Sequence, residues 1–182
     1  MMTIFIMLIS LSVFLLILLL YAWSKYNRYV ILRNQVRTDY SDIEVQLQRR
    51  LSLIEKLAAL VGEYAKHEKS TFTDVAKARS AVTSSKTAAD AAKADNLLTD
   101  TLRSLFAVVE AHPQLKASEN YKLLREDLNL TENAIAGYRE EYNLSAQKYN
   151  NAIQVFPGLL VAQVFAFHDA DLFELKPNPT KT

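Results

Sequence analysis

The chain has 182 residues, enough for one domain with a modest core. Its three glycines and four prolines favour long uninterrupted helices, and the lack of cysteine excludes disulfides, thiolate metal sites and cysteine nucleophiles. The formal charge of +1 is unevenly distributed: Lys25, Arg28, Arg33 and Arg37 precede the first acid, which leaves 17 basic against 20 acidic residues, or −3, in 39–182. A body without a basic excess is not expected to bind nucleic acid.

The chain begins with an apolar run of 20 residues from Ile4 to Trp23. A helix of that length spans roughly 30 Å, the thickness of bilayer hydrocarbon, so the run predicts a transmembrane anchor over residues 1–24. A cleaved signal peptide is the alternative. It is disfavoured because the residues before Ile4 carry no Lys or Arg and because the apolar run exceeds the roughly 7–15 residues of a signal peptide.

Aromatic and basic side chains follow the apolar run and predict where the helix leaves the membrane. Amphipathic rings and basic groups favour the headgroup layer, so we expect membrane lipid as a partner there. The residues expected at this interface are Tyr21, Trp23, Lys25, Tyr26 and Arg28. Because the basic residues lie only on the C-terminal flank, the positive-inside rule predicts a single-pass protein with its soluble part in the cytoplasm.

The next segment is predicted to continue the anchor as one helix, since neither Gly nor Pro occurs before Gly62. Its apolar residues recur at steps of three and four, which places them on one face. These residues are Val36, Tyr40, Ile43, Leu47, Leu51, Ile54, Leu57 and Val61.

The last long helix is predicted over residues 119–155, with a heptad seam about five heptads long. The seam runs through Tyr121, Leu124, Leu128, Thr131, Ile135, Tyr138, Tyr142, Ser145, Tyr149, Ala152 and Phe156. Tyrosines in a seam bury a ring and need a partner for the hydroxyl. A packed seam with satisfied hydroxyls is the main interpretation, and an aromatic binding groove is the alternative.

Local signals predict two shorter helices between the long ones. Thr71 and Thr87 each precede an Asp by three residues, the capping-box pattern. His112–Pro113 should end the next helix, because the residue before proline avoids the helical region, and Ser118 can begin the last one. Nothing at 67–71 forces a break, so residues 25–83 could also form one helix.

The lengths of the predicted helices favour a break at 67–71 over one continuous helix. Helices over 25–66 and 119–155 match as an antiparallel pair, whereas one helix over 25–83 would leave the stripe from Val36 to Leu47 exposed to water at a cost. The predicted fold is therefore all-α: an N-terminal transmembrane helix that continues into an elongated antiparallel up-and-down four-helix bundle, with a short apolar segment at the C-terminus. The expected domains are the anchor 1–24, the bundle 25–155, an apolar cap 156–175 and a flexible tail 176–182.

The apolar segment after Pro157 is too short to cross a bilayer, because nine helical residues rise only about 14 Å. With an even number of helices the chain returns to its starting end. The segment is then expected to cap the base of the bundle, or, as the alternative, to lie in the lipid interface near Tyr29 and Arg28.

Six strings in this order resemble the LemA family of bacterial proteins: YNRYVILRNQV (26–36), DIEVQLQRRLSLIEKL (42–57), YAKHEK (64–69), EAHPQLKASENY (110–121), LTENAI (130–135) and YNLSAQKYNNAIQVFPG (142–158). The resemblance covers the chain from residue 26 to about 167. It implies a membrane-anchored antiparallel four-helix protein of the bacterial inner membrane. The family that it resembles has no established catalytic activity and no agreed ligand, so no functional residue is carried over.

The sequence shows no pattern typical of catalysis or of a cofactor site. His67, His112 and His168 lie in different predicted segments, and phosphate-binding glycine loops and nucleophile elbows are absent. We therefore expect no catalytic residue, no metal and no cofactor. Arg49 and Arg50 are interpreted first as a solvated patch. Arg50 can also lie at the edge of the first stripe, and if buried there it requires an acid, for which Glu132 and Asp127 are the candidates.

Two functions from different classes remain. The first is a non-enzymatic scaffold or adaptor that self-associates or binds another membrane protein through its helices. The second is a membrane-tethered sensing module that accepts a small apolar ligand between bundle helices. The candidate interaction surface comprises Arg49, Arg50, Phe156, Leu159, Leu160, Phe165 and Phe167.

Overall fold

The computed structural model describes residues 1–64 and 69–174, with residues 69–71 described by their backbone alone. Within these ranges the ordered structure is helical and contains no strand, so the all-α prediction is confirmed. The helices are α1 (Met2–Tyr64), α2 (Lys69–Ser84), α3 (Ala88–Glu110), α4 (Pro113–Ala117), α5 (Glu119–Gln154) and α6 (Gly158–Val164).

Helix α1 has 63 residues and runs without interruption from the apolar N-terminal stretch into the rest of the chain. The predicted continuity is confirmed, and its cause is the scarcity of helix-breaking residues before Gly62. The first part of α1 is long and apolar enough to cross a membrane by length and composition, and its side chains are not buried against the protein.

The chain divides into two compact units, each of which draws on both α1 and α5. Unit 1 contains Met1–Arg37 and Leu144–Ala170, and unit 2 contains Thr38–Asn143 and the chain from Asp171 onward. These units group residues by contact, and the domain bounds expected from the sequence stay predictions. The predicted tail 176–182 lies outside the described residues.

The core of unit 2 contains buried side chains from the predicted stripe of α1 and from α2, α3 and α5, and α2 packs against α3. The α1 residues Ile43, Leu47, Ile54 and Leu57 are buried, as the pattern predicts. Helix α3 begins with Thr87 as its N-cap, whose hydroxyl accepts a hydrogen bond from the Asp90 amide, so that predicted cap is confirmed. The buried side chains of α3 include Ala91, Asp95, Leu98, Leu102, Leu105 and Val109.

The chain reverses between α1 and α2. Arg79 Nε on α2 donates to Glu55 Oε1 on α1 at 2.6 Å, although a continuous helix would separate these residues by roughly 36 Å. A single helix over 25–83 is therefore excluded. The turn itself, with His67, lies outside the described residues.

The predicted ends of the helices are correct for α3 and α5 and wrong for α2. Helix α3 ends at Glu110 before His112–Pro113, and the Ser118 hydroxyl accepts from the Tyr121 amide at the start of α5, as predicted. The predicted cap at Thr71 is wrong, because α2 begins at Lys69 and Thr71 lies inside it. The residues before Thr71 tolerate the helical conformation, so a threonine three residues before an acid does not by itself start a helix.

The seam of α5 is buried at Tyr121, Leu128, Ile135, Tyr142 and Tyr149. The prediction fails at its last member, Phe156, because α5 ends at Gln154 and the Phe156 side chain is exposed.

Candidate interaction surfaces

Arg50 is buried on α1 and joins three helices of unit 2. Its side chain is 2% exposed, and its Nη1 donates to Asp95 Oδ1 on α3 at 2.5 Å. Its Nη2 donates to Glu132 Oε2 on α5 at 3.5 Å. The solvated-patch interpretation is wrong for Arg50, which is buried and pairs with Glu132, one of the two candidate acids. The other candidate, Asp127, lies 3.9 Å from exposed Arg49.

Asp95 is the partner that the sequence argument missed. Burial raises the pKa of the Asp95 carboxyl above its ordinary value, and the adjacent Arg50 guanidinium opposes that shift. The available signal was its position: Asp95 occupies the apolar register of α3 between Ala91 and Leu98, where an acid requires a cationic partner. This cluster holds helices together and is not a surface, which removes Arg50 from the accessible candidates.

In unit 1 the C-terminal apolar segment packs on the part of α1 that follows the apolar run. The Phe165 ring centroid lies 4.9 Å from that of Tyr26, and the Phe167 centroid lies 5.5 Å from that of Tyr29. Arg33 stacks over Phe167 at 5.1 Å. The segment therefore lies against Tyr29, and its role as a cap of a bundle or as an interfacial segment stays a prediction.

Close packing at Tyr29 depends on a glycine. A Cβ at Gly158 would collide with the Tyr29 hydroxyl, so only a residue without a side chain allows α6 to approach α1 here. The Tyr29 side chain is fully buried and burial raises its pKa.

The extended segment after α6 is held by its main chain. In unit 1, Asn150 forms two hydrogen bonds with the backbone of Ala170: its Nδ2 donates to the carbonyl and its Oδ1 accepts from the amide, both at 2.8 Å. The Tyr149 hydroxyl donates to the His168 carbonyl at 2.9 Å. We call this pair of side chains the unit 1 clamp.

The same arrangement occurs in unit 2, seven residues earlier along α5. Asn143 Oδ1 accepts from the Phe173 amide at 2.8 Å and its Nδ2 donates to the Phe173 carbonyl at 3.2 Å. The Tyr142 hydroxyl donates to the Asp171 carbonyl at 2.6 Å. We call Tyr142 and Asn143 the unit 2 clamp.

The two clamps explain the tyrosines of the seam. The hydroxyls of Tyr142 and Tyr149 are satisfied by carbonyl oxygens, so the packed-seam interpretation is confirmed at these two positions. Burial, with the nearby Asp171 carboxylate and Tyr40, raises the pKa of Tyr142 to about 12.

The candidate surface residues have different surroundings. Phe156, Leu160 and Phe165 are exposed and Leu159 is half-buried, but Phe167 is buried against α1. At the expected membrane interface, Lys25 Nζ lies over the Tyr21 ring at 5.4 Å and Trp23 is exposed. The role of these side chains stays a prediction.

Sequence reasoning missed a second stripe on α5. Leu123 and Leu130, which are exposed apolar residues of unit 2, are seven residues apart, and Gly137 continues the series at a place where an added Cβ would meet no atom within 4 Å. Exposed Leu144 of unit 1 follows after seven more residues. The signal was present as a heptad repeat displaced from the buried seam.

In the described residues these features define an all-helical protein with an apolar N-terminal helix and, in unit 2, three helices joined by a buried ion cluster. The chain belongs to the LemA family, whose family model matches residues 39–182.

The chain is also similar to curated magnetosome proteins. It is 27% identical to magnetosome protein MamQ of Magnetospirillum gryphiswaldense and to magnetosome proteins MamQ 1 and MamQ 2 of Paramagnetospirillum magneticum. Each alignment covers 84% of this chain and 66% of the relative. The chain therefore spans slightly less than two thirds of the length of these relatives.

Proposed function

We propose that this LemA-family protein is a membrane-anchored, non-enzymatic scaffold or adaptor that self-associates through its helices. The observation that carries the proposal is the exposed pair Leu123 and Leu130 on α5 in unit 2, which are seven residues apart. Leucines repeated every seven residues on a helix form a narrow seam that a second helix can cover, and Gly137 lets that helix approach closely.

The comparisons support a role of this class. The curated relatives are described by a cellular structure, the magnetosome, and not by a reaction. Their similarity gives no substrate or partner for this chain.

We further propose that α1, α2, α3 and α5 form an antiparallel four-helix bundle. Arg50 supports this arrangement because it contacts Asp95 on α3 and Glu132 on α5, and the Arg79–Glu55 bond supports it because it ties α2 to α1. Paired spin labels at Arg33 and Leu160 test the even number of helices. A single short distance is expected, and a wide separation would contradict the bundle.

Self-association is tested by Leu123→Glu combined with Leu130→Glu. Native mass spectrometry after extraction in mild detergent should show an oligomer for the wild-type chain and a monomer for this double variant, because buried carboxylates would oppose a helix–helix seam. Leu97→Glu is the matched control, since Leu97 is an exposed leucine on α3 outside the series. A wild-type monomer, or an oligomer unaffected by the double variant, would reject the proposal.

The proposed location is the bacterial inner membrane, with a single span and the body in the cytoplasm. Its support is the set of basic residues that follow the apolar run, Lys25, Arg28, Arg33 and Arg37. Because the chain has no cysteine, a Leu97→Cys variant can be treated in intact cells with a membrane-impermeant maleimide. Protection until the cells are lysed is expected, and labelling of intact cells would reverse the orientation.

A further inference from the structure

Helix α6 and the turn before it have two apolar faces. One face, formed by Gly158, Val161 and Ala162, is buried in unit 1. The other consists of Phe156, Leu160 and Val164, which are 73%, 55% and 78% exposed and follow one another at intervals of four residues. The stretch 155–167 contains no charged side chain, so this outer face is not an ordinary solvated surface.

Contacts with α1 fix the depth of this face relative to the apolar run. The rings of Phe165 and Phe167 lie 4.9 and 5.6 Å from the ring of Tyr26. Tyr26 follows Trp23, the end of the apolar run, by three residues, which is about 4.5 Å along a helix. Since a bilayer extends roughly 5–7 Å beyond its hydrocarbon on each side, the residues at the C-terminal end of α6 meet α1 at the depth of the lipid headgroups. The first residue of α6, Gly158, meets Tyr29 about 9 Å beyond Trp23, just outside that layer.

The surroundings supply the charge that α6 lacks. Helices that lie in the interface combine an apolar face with basic residues that meet anionic headgroups. Here the basic groups, Lys25 and Arg28, are on α1 at the same depth, and no acid occurs on that part of α1. The apolar face and the basic groups are therefore carried by two neighbouring elements.

We propose that α6 is a second membrane contact, which inserts the C-terminal part of its outer face, Leu160 and Val164, into the interfacial layer of an anionic bilayer beside the span. The occupant of this face is lipid. The inference depends on the anchor of the proposed function and not on self-association.

The test uses depth-dependent quenching in the full-length chain, which has no native cysteine to remove. Val164→Cys and, separately, Leu160→Cys are labelled with an environment-sensitive fluorophore and placed one copy per nanodisc in phosphatidylcholine and phosphatidylglycerol. Lipids with a spin label near the glycerol end of the acyl chain act as quenchers. Leu97→Cys is the control outside the membrane, and Leu20→Cys is the control inside the span.

We expect quenching at positions 164 and 160 to exceed that at 97 by about threefold, as for an interfacial helix. Quenching at both positions equal to that at 97 would overturn the proposal. A blue-shifted emission without lipid quenching would also overturn it, because protein would then cover the face. A lack of quenching at position 20 would overturn the anchor and this proposal together, whereas quenching at 20 alone would overturn only the role of α6.

Discussion

The residue with the largest electrostatic consequence is Arg50. Its burial removes a guanidinium from water, and the cost is offset only while Asp95 and Glu132 remain charged beside it. Glu132 is exposed and more distant, so Asp95 supplies most of the compensation. Burial also raises the pKa of Asp95, which shows that desolvation opposes the charged form of this carboxyl. The net stability from the pair is therefore a small difference between a large desolvation cost and a large electrostatic attraction.

Removing one member of this pair should therefore cost more than removing both. We expect Asp95→Asn to lower the free energy of unfolding by about 3 kcal/mol, and Arg50→Met with Asp95→Leu to restore most of it, because no uncompensated buried charge remains. Urea unfolding in mild detergent, followed by circular dichroism, measures both. Asp100→Asn is the control, since Asp100 forms an exposed pair with Arg103 on α3 and should change stability little. An equal effect of Asp95→Asn and Asp100→Asn would contradict this account.

Tyr142 should give the protein a distinct sensitivity to alkali. Its pKa is raised to about 12 in the folded chain, so the folded protein keeps a proton that the unfolded chain loses near pH 10. The stabilisation is complete below pH 10 and declines as the pH rises towards 12. We expect the difference in unfolding free energy between wild type and Tyr142→Phe to shrink by about 1–2 kcal/mol over that interval, with each pKa unit worth about 1.4 kcal/mol. A difference in unfolding free energy between the two proteins that does not change from pH 10 to pH 12 would contradict this prediction.

At the scale of elements, the clamps of α5 show how a helix can hold an extended chain. Each clamp uses a Tyr–Asn pair, and each asparagine satisfies both the amide and the carbonyl of one residue. Paired side-chain amide bonds of this kind replace the main-chain partners that a strand would have had in a sheet. The segment after α6 is thereby ordered without secondary structure of its own.

Loss of one clamp should expose the backbone that it protects. We expect Asn150→Ala to accelerate hydrogen exchange of the Ala170 amide by about tenfold, since one net hydrogen bond is worth roughly 1 kcal/mol or more. Asn151→Ala is the control, because Asn151 is the exposed neighbour on the same helix. Equal exchange in both variants would show that the clamp does not hold the segment.

The elements themselves were largely predictable from the sequence. Steps of three and four residues identified the buried faces of α1 and α5, because such periodicity is a direct record of which side of a helix is apolar. The register of Asp95 indicates that it needs a cationic partner, but the choice of Arg50 was not predictable, since the two residues are 45 positions apart and their contact depends on how α3 rotates against α1. The clamps were missed because asparagine on a helix surface carries no signal for a main-chain partner.

On the scale of the whole molecule, the apolar run is separate from the packed core. Residues 1–20 are exposed throughout, whereas the buried side chains of the described chain begin at Tyr29. The fold of the body should therefore not depend on the anchor, although α1 is continuous through both.

Deletion of residues 1–24 tests this separation. We expect the remaining chain to stay helical and to unfold in one cooperative transition by circular dichroism, because the removed residues contribute no buried side chain. Replacing Leu57, a fully buried residue, with Ala in the same shortened chain provides a destabilised reference, lower by about 2–5 kcal/mol. A shortened chain without a cooperative transition would show that the anchor stabilises the body.

The clamps also have an evolutionary consequence. They hydrogen-bond to backbone amides and carbonyls, which every residue other than proline possesses. Most side chains between Ala170 and Phe173 can therefore be substituted without loss of these hydrogen bonds. The number of residues between Ala170 and Phe173 should be fixed, because three residues of extended chain span the same length as the seven residues of α5 between Asn143 and Asn150. A single insertion or deletion there would move one backbone group away from its asparagine. Residues 170–173 should therefore tolerate amino-acid substitutions far more readily than insertions or deletions.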